Sequence, residues 1–173
     1  MADSRRDKRK ARLRDITEDA HGNMVYTGDS FRMKDPQIRL KLIAVLIALA
    51  AVVIGSGCID AAGAAGSFYV IFPYIGEVSA LFGLCWISVK VFAGKSSVRK
   101  YIVDNASTRI PGACRVLTVF AAAGLVLSVL YLIRNGAGGQ TVKSAMYLVL
   151  KTAAACMAEY YRRIYTEIIW ERS

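Results

Sequence analysis

The chain has 173 residues, 55% of them hydrophobic, with 23 Lys or Arg against 13 Asp or Glu and a formal net charge of +10. One soluble domain would fit the length, but a soluble domain of this size does not carry several long uncharged runs. Nucleic-acid binding, the other usual reading of strong basicity, is disfavoured by placement: the positive charges flank apolar blocks, as they do at basic membrane edges. The composition therefore reads as an all-α integral membrane protein.

Residues 1–38 form a basic head, expected to be cytosolic. Its first fifteen residues hold Arg5, Arg6, Lys8, Arg9, Lys10, Arg12 and Arg14 without an apolar face wide enough for a firm amphipathic anchor. A flexible tail touching anionic lipid headgroups fits that composition. His21-Gly22-Asn23 reads as a turn between two short extended pieces, with Met24 to Thr27 the better strand. Such a hairpin is marginal alone and needs something to pack against. His21, the only histidine, has no ligand set around it. A cleavable signal peptide is not expected, because the first apolar block begins near residue 40 and more apolar blocks follow.

Asp35-Pro36 ends the head, with Pro36 suited to the first turn of a helix. Residues 39–173 read as a bundle of four membrane helices with short outer turns. Leu42 to Ile59 is 18 uncharged residues, or about 27 Å of helix against a hydrocarbon core of roughly 30 Å. The segment CIDAAGAAG, with Asp60 its only charge, makes a tight turn. The second span runs from Ser67 to Phe92, with Pro73 and Gly76 as a candidate kink, Glu77 well inside the apolar zone and Lys90 placed to snorkel. Gly76 with Ala80, and Ser79 with Gly83, are spaced for close helix contact. Residues 94–112 read as a basic cytosolic loop with Val98, Tyr101 and Ile102 lying on the bilayer, closed by Pro111-Gly112. The third span runs from Cys114 to Ile133. The fourth begins near Thr141 and holds Lys143, Lys151 and Glu159. Tyr147, Lys151, Ala155 and Glu159 step by four along one face, which is expected to look into the bundle. The end of the chain reads as an interfacial tail continuing from the fourth span, with Tyr160, Tyr161, Tyr165 and Trp170 in an aromatic belt and Arg162 and Arg163 on the cytosolic side.

Lys and Arg gather in the head and in the 94–112 loop, whereas the first turn has none and the 134–143 turn has Arg134 and Lys143. Both termini are thereby expected in the cytosol, with four spans in a plasma membrane.

Glu77 and Lys151 lie at matched depths, each about 15 Å into a span that enters from the outer side. They are 74 residues apart, and the same offset sets Asp60 opposite Arg134. Duplication of one two-helix hairpin would produce this, and so would equal helix lengths alone. An ionised carboxylate at that depth needs a partner or a proton. Glu77 and Lys151 are therefore the main site candidates, as an ion pair within one chain, a contact to another subunit, or a coupling site. Asp60, Arg134 and Glu159 are secondary polar candidates.

Catalytic signatures are missing: the spans contain no His, and there is no His-Glu-x-x-His, no Gly-x-Ser-x-Gly and no phosphate loop. Cys58, Cys85, Cys114 and Cys156 are widely spaced without a Cys-x-x-Cys pair and read as small apolar residues. Neither a metal nor a cofactor is expected. The long polar head and the lack of a catalytic set point to a non-catalytic subunit or scaffold of a membrane complex, with a protein partner or a homo-oligomer. The alternative is a small oligomeric transporter with Glu77 as its proton- or substrate-coupling carboxylate.

Overall fold

A computed structural model describes residues 16–18, 24–26, 29–59, 66–92, 98–136 and 139–172. Its body is four helices: α1 (Pro36–Gly57), α2 (Phe68–Phe92), α3 (Lys100–Asn135) and α4 (Thr141–Thr166). The first three are long and apolar enough to cross a membrane, as an integral membrane protein requires. α4 has the length but is less apolar, because Lys143, Lys151, Glu159 and Arg162 interrupt it.

Residue spacing explains why these helices pack. Buried positions in α3 step by three and four, through Val103, Ala106, Ile110, Cys114, Leu117, Ala121, Gly124 and Ser128. Those of α4 do the same, through Ser144, Tyr147, Lys151, Ala154, Ala158, Tyr161 and Tyr165. Alternating steps of three and four keep one narrow seam facing the neighbours, the pattern of nearly aligned helices in a bundle. α3 packs on α2 and α4, and α4 packs on α1. α2 and α4 therefore face each other across the diagonal. α1 and α2 touch little although consecutive. They are tied at their two ends: the Arg39 guanidinium donates to the Phe92 carbonyl, and the Tyr74 phenol lies over Gly57, where a side chain would collide with it. The two hairpins thus pack differently, since α3 and α4 are in broad contact.

The start of α1 follows from its cap. The Asp35 carboxylate accepts the Gln37 amide at 2.8 Å, and Pro36 takes the first helical position, where no amide hydrogen is needed. α3 departs from expectation. The loop closing at Pro111-Gly112 is instead helix: α3 starts at Lys100 and passes through Pro111. Pro111 removes one backbone hydrogen bond, but the buried seam runs unbroken from Val103 past it to Cys114 and holds both sides. At 36 residues, α3 is about 54 Å long and extends well past a hydrocarbon core.

Short strands complete the mostly helical fold. β1 (Ile16–Glu18) pairs antiparallel with β2 (Met24–Tyr26), in a register that opposes Ile16 to Tyr26. The turn expected at His21-Gly22-Asn23 lies outside the described residues. β3 (Ser30–Met33) is the centre of a second sheet, flanked by β4 (Val98–Arg99) and β5 (Trp170–Arg172), both antiparallel to it. Asp29 fastens all three: its carbonyl accepts the Lys100 amide at 3.1 Å and its carboxylate holds the Arg172 guanidinium. The Lys34 amide donates to the Ile169 carbonyl at 3.2 Å. Met33, Ile102, Ile168 and Trp170 pack against the core of the bundle.

At the end of the chain α4 stops at Thr166, and the segment expected as an interfacial tail turns into β5. The aromatic belt is likewise replaced. Tyr161 and Tyr165 occupy the buried seam, Trp170 is half-buried against the core, and Tyr160 faces outward.

Because β5 covers one edge of β3, truncation after Ile169 should expose that edge. Amide exchange at Phe31 to Met33 is expected to accelerate at least tenfold, with α1 to α4 unchanged by hydrogen-exchange mass spectrometry. Unchanged protection of β3 would show that β5 contributes nothing to the sheet.

Candidate functional site

The four helices form two ends, here the sheet end and the turn end. Starting from the turn end, Glu77 is about 14 Å along α2 and Lys151 about 15 Å along α4. Glu77 takes a place in the buried seam of α2 that runs Pro73, Glu77, Leu81, Leu84, Ser88. Lys151 takes the equivalent place in α4. The seam positions turn both side chains inward, and the two meet across the diagonal of the bundle.

The Lys151 ammonium donates to both oxygens of Glu77, at 2.8 Å to Oε1 and 2.7 Å to Oε2. Neither side chain has any exposed surface. The Tyr74 and Tyr147 rings lie 5.0 and 5.3 Å from Lys151 Nζ, close enough for their negative faces to stabilise the cation. Gly124 of α3 lies beside the carboxylate: a side chain there would begin 3.2 Å from Glu77 Oε1 and 3.4 Å from Pro73. Pro73 and Gly124 are thus the close contact that admits Glu77 to the core. Gly76 has a similar part, because the Phe120 ring occupies the space a side chain at 76 would need. Of the two small-residue pairs on α2, Gly76 and Ala80 face the core, whereas Ser79 is exposed and Gly83 has open space beside it.

A second polar contact crosses the same diagonal. The Ser88 and Tyr161 hydroxyls are 2.8 Å apart and both residues are fully buried. This contact lies roughly 16 Å from the ion pair toward the sheet end. Two contacts in the same order along both helices fix α2 and α4 as parallel. Apolar residues fill the interval, with Leu81, Leu84, Leu117, Ala121 and Ala154 buried.

The secondary candidates do not join this site. Glu159 is half-buried and bound within its own helix, accepting Arg162 Nε at 2.8 Å and lying 3.5 Å from Arg163 Nε. Steps of four drift about 40° per step around a helix of 3.6 residues per turn. The inward face therefore passes from Tyr147 and Lys151 to Ala154 and Ala158, leaving Ala155 and Glu159 at its margin. Arg134 is exposed at the end of α3, and Asp60 lies outside the described residues. Tyr69 and Trp86 are exposed on the outer surface of α2.

Sequence reasoning placed Tyr147 on the Lys151 face but missed the hydroxyls of Ser128 and Ser144 near the pair. Ser128, Ser144 and Tyr147 are buried, and their hydroxyl oxygens find no hydrogen-bond partner among the described residues. Their seam spacing was a usable signal, since Ser144 and Tyr147 precede Lys151 by seven and four positions. The described residues contain no group of His, Cys, Asp and Glu able to hold a metal ion. Comparison with known proteins adds no relative: no family model, curated protein or solved structure matches the chain.

Breaking a buried pair leaves one charge without its counter-ion. Glu77→Gln and Lys151→Met are each expected to lower stability by about 3–5 kcal/mol, and the double variant to recover part of the loss. Denaturant titration in detergent micelles measures this, and strictly additive losses would contradict direct pairing. Tyr161→Phe is expected to cost about 1 kcal/mol in the same assay.

Proposed function

We propose that the protein is a small non-catalytic integral membrane protein acting as a subunit or scaffold of a membrane complex. It crosses the bilayer four times, with both termini in the cytosol. α4 serves as the fourth span because its charges are local. Between Ser144 and Ala158, about 22 Å of helix, the only charge is Lys151, which is buried against Glu77. The surface left for lipid is Ala145, Met146, Val149, Thr152 and Cys156.

Orientation follows from the cations. The sheet end carries Arg32, Lys34, Arg39, Lys41, Arg99, Lys100, Arg163 and Arg172, against Arg134 and Lys143 at the turn end. A basic end faces the cytosol and anionic lipid headgroups, as in a plasma membrane.

The observation that carries the scaffold reading is the β-platform. Three segments remote in sequence converge into one small sheet at the cytosolic end, directly after the β1–β2 hairpin. A two-stranded hairpin is marginal alone. β4 and β5 form the edges of the larger sheet, and edge strands offer backbone groups to a partner. A protein partner docked on the hairpin and platform satisfies both needs.

The test is deletion of residues 1–27, which removes the hairpin while keeping Asp29 and β3. Purification from native membranes in nanodiscs, read by mass, is expected to show a stoichiometric partner with the full chain. The deletion should lose that partner without changing the melting temperature of the bundle. A deletion that keeps every association would contradict docking through the head.

A further inference from the structure

Of the four buried hydroxyls without a partner among the described residues, Ser128, Ser144 and Tyr147 lie between the ion pair and the turn end, and the fourth, Tyr165, lies at the sheet end beyond the Ser88–Tyr161 contact. Along α4 from the turn end, Ser144 comes about 5 Å in, Tyr147 about 9 Å and Lys151 about 15 Å. Ser128 of α3 approaches Tyr147, and Gly124 one turn further along α3 lets the Glu77 carboxylate pack against the helix. Ser128, Ser144 and Tyr147 keep only 3%, 4% and 4% of their surface exposed. On the other side of the pair, the buried residues are Leu81, Leu84, Leu117, Ala121 and Ala154, and the next polar contact, Ser88 with Tyr161, is satisfied.

We propose that the turn-end half of the bundle core is a hydrated site that brings water, and through it protons, to the Glu77–Lys151 pair from that end only. A buried hydroxyl without a partner costs about 1–3 kcal/mol, and lipid offers nothing to bond with from the side. Water makes two to four hydrogen bonds to buried polar groups, and each hydroxyl here can donate and accept. Lys151 has three donor hydrogens, and Glu77 engages it through two oxygens, so the ammonium can also bind water. The groups facing Glu77 suit a site of exchangeable protons. α4 presents Lys151 and Tyr147, and α2 itself presents Tyr74. α3 presents Gly124 and Ser128, neither of which titrates, and α1 ends with Gly57 against the Tyr74 phenol, followed by Cys58. The apolar layer beyond the pair is the floor that makes access one-sided. A proton taken up at Glu77 from this water would neutralise the carboxylate and leave Lys151 charged between two tyrosine rings. One-sided proton access is the minimum that a coupled transporter would need. The placement rests on α4 spanning the bilayer as proposed above.

Water-edited solid-state NMR of the full, unmodified chain in liposomes tests hydration. Magnetisation from water is expected to reach Ser128, Ser144, Tyr147 and Glu77 at least threefold faster than Leu84, Leu117 and Ala154. Equally slow transfer to both groups would overturn the proposal. Sidedness is read with Ser144→Cys and Ala154→Cys in a chain whose four native cysteines are replaced by alanine. A membrane-impermeant cationic thiosulfonate is applied to each side in turn, and an N-terminal tag reports orientation. Expected is labelling of position 144 from the side opposite the tag, and none at 154 from either side. Labelling of 144 from the tagged side or from neither side overturns the proposal, and labelling of 154 from either side overturns it too, because the apolar floor would then be open to water.

Discussion

A carboxylate and an ammonium, each without exposed side-chain surface, meet across the diagonal of the bundle with N–O distances of 2.7 and 2.8 Å. Removing two charges from water is costly, and their mutual attraction offsets that cost only when geometry and neighbours are right. Those neighbours are present: two aromatic faces toward the cation and a glycine beside the anion. Two leucines in their place would pack well, but in several registers and against any apolar helix. The charged pair selects α2 and α4 as partners and sets their relative height. It also lets a helix interrupted by lysine lie among apolar ones, because Lys151 is fully buried.

The sheet end applies a different constraint to the same bundle. β3 directly precedes α1, β4 directly precedes α3, and β5 follows α4. Pairing of those strands ties together the ends of three helices that no loop joins at this end of the bundle. Asp29 joins them at one residue, through its carbonyl to the start of α3 and through its carboxylate to Arg172. α1 needs this, because its contact with α2 is thin. Helix order is thus fixed twice, by charge in the core and by strand pairing at the basic end.

Much of this was legible in the sequence because membrane-length apolar runs and isolated charges are strong local signals. α1 and α2 could be read within a few residues, and Glu77 and Lys151 stood out as charges at equal depth. What escaped depended on contacts between remote segments. β4 and β5 are two and three residues long, too short for periodicity to reveal, and exist because β3 lies between them. Pro111 reads locally as a helix breaker, yet the buried seam on both sides outweighs one lost hydrogen bond. Glu159 seemed to share a face with Lys151 because steps of four look straight in sequence, whereas the helix carries them steadily off the seam. The unpartnered hydroxyls of Ser128 and Ser144 resemble ordinary small residues until their burial is known.

The central claim is that Glu77 and Lys151 are in direct contact within one chain. Dipolar recoupling between the Lys151 side-chain nitrogen and the Glu77 carboxyl carbon tests it in lipid. Isotope-labelled chains are diluted in unlabelled ones so that contacts between chains do not contribute. The account predicts strong coupling that persists on dilution, as N–O contacts of 2.7 and 2.8 Å require. Coupling that vanishes on dilution would place the contact between subunits, and absent coupling at any dilution would contradict the pair altogether.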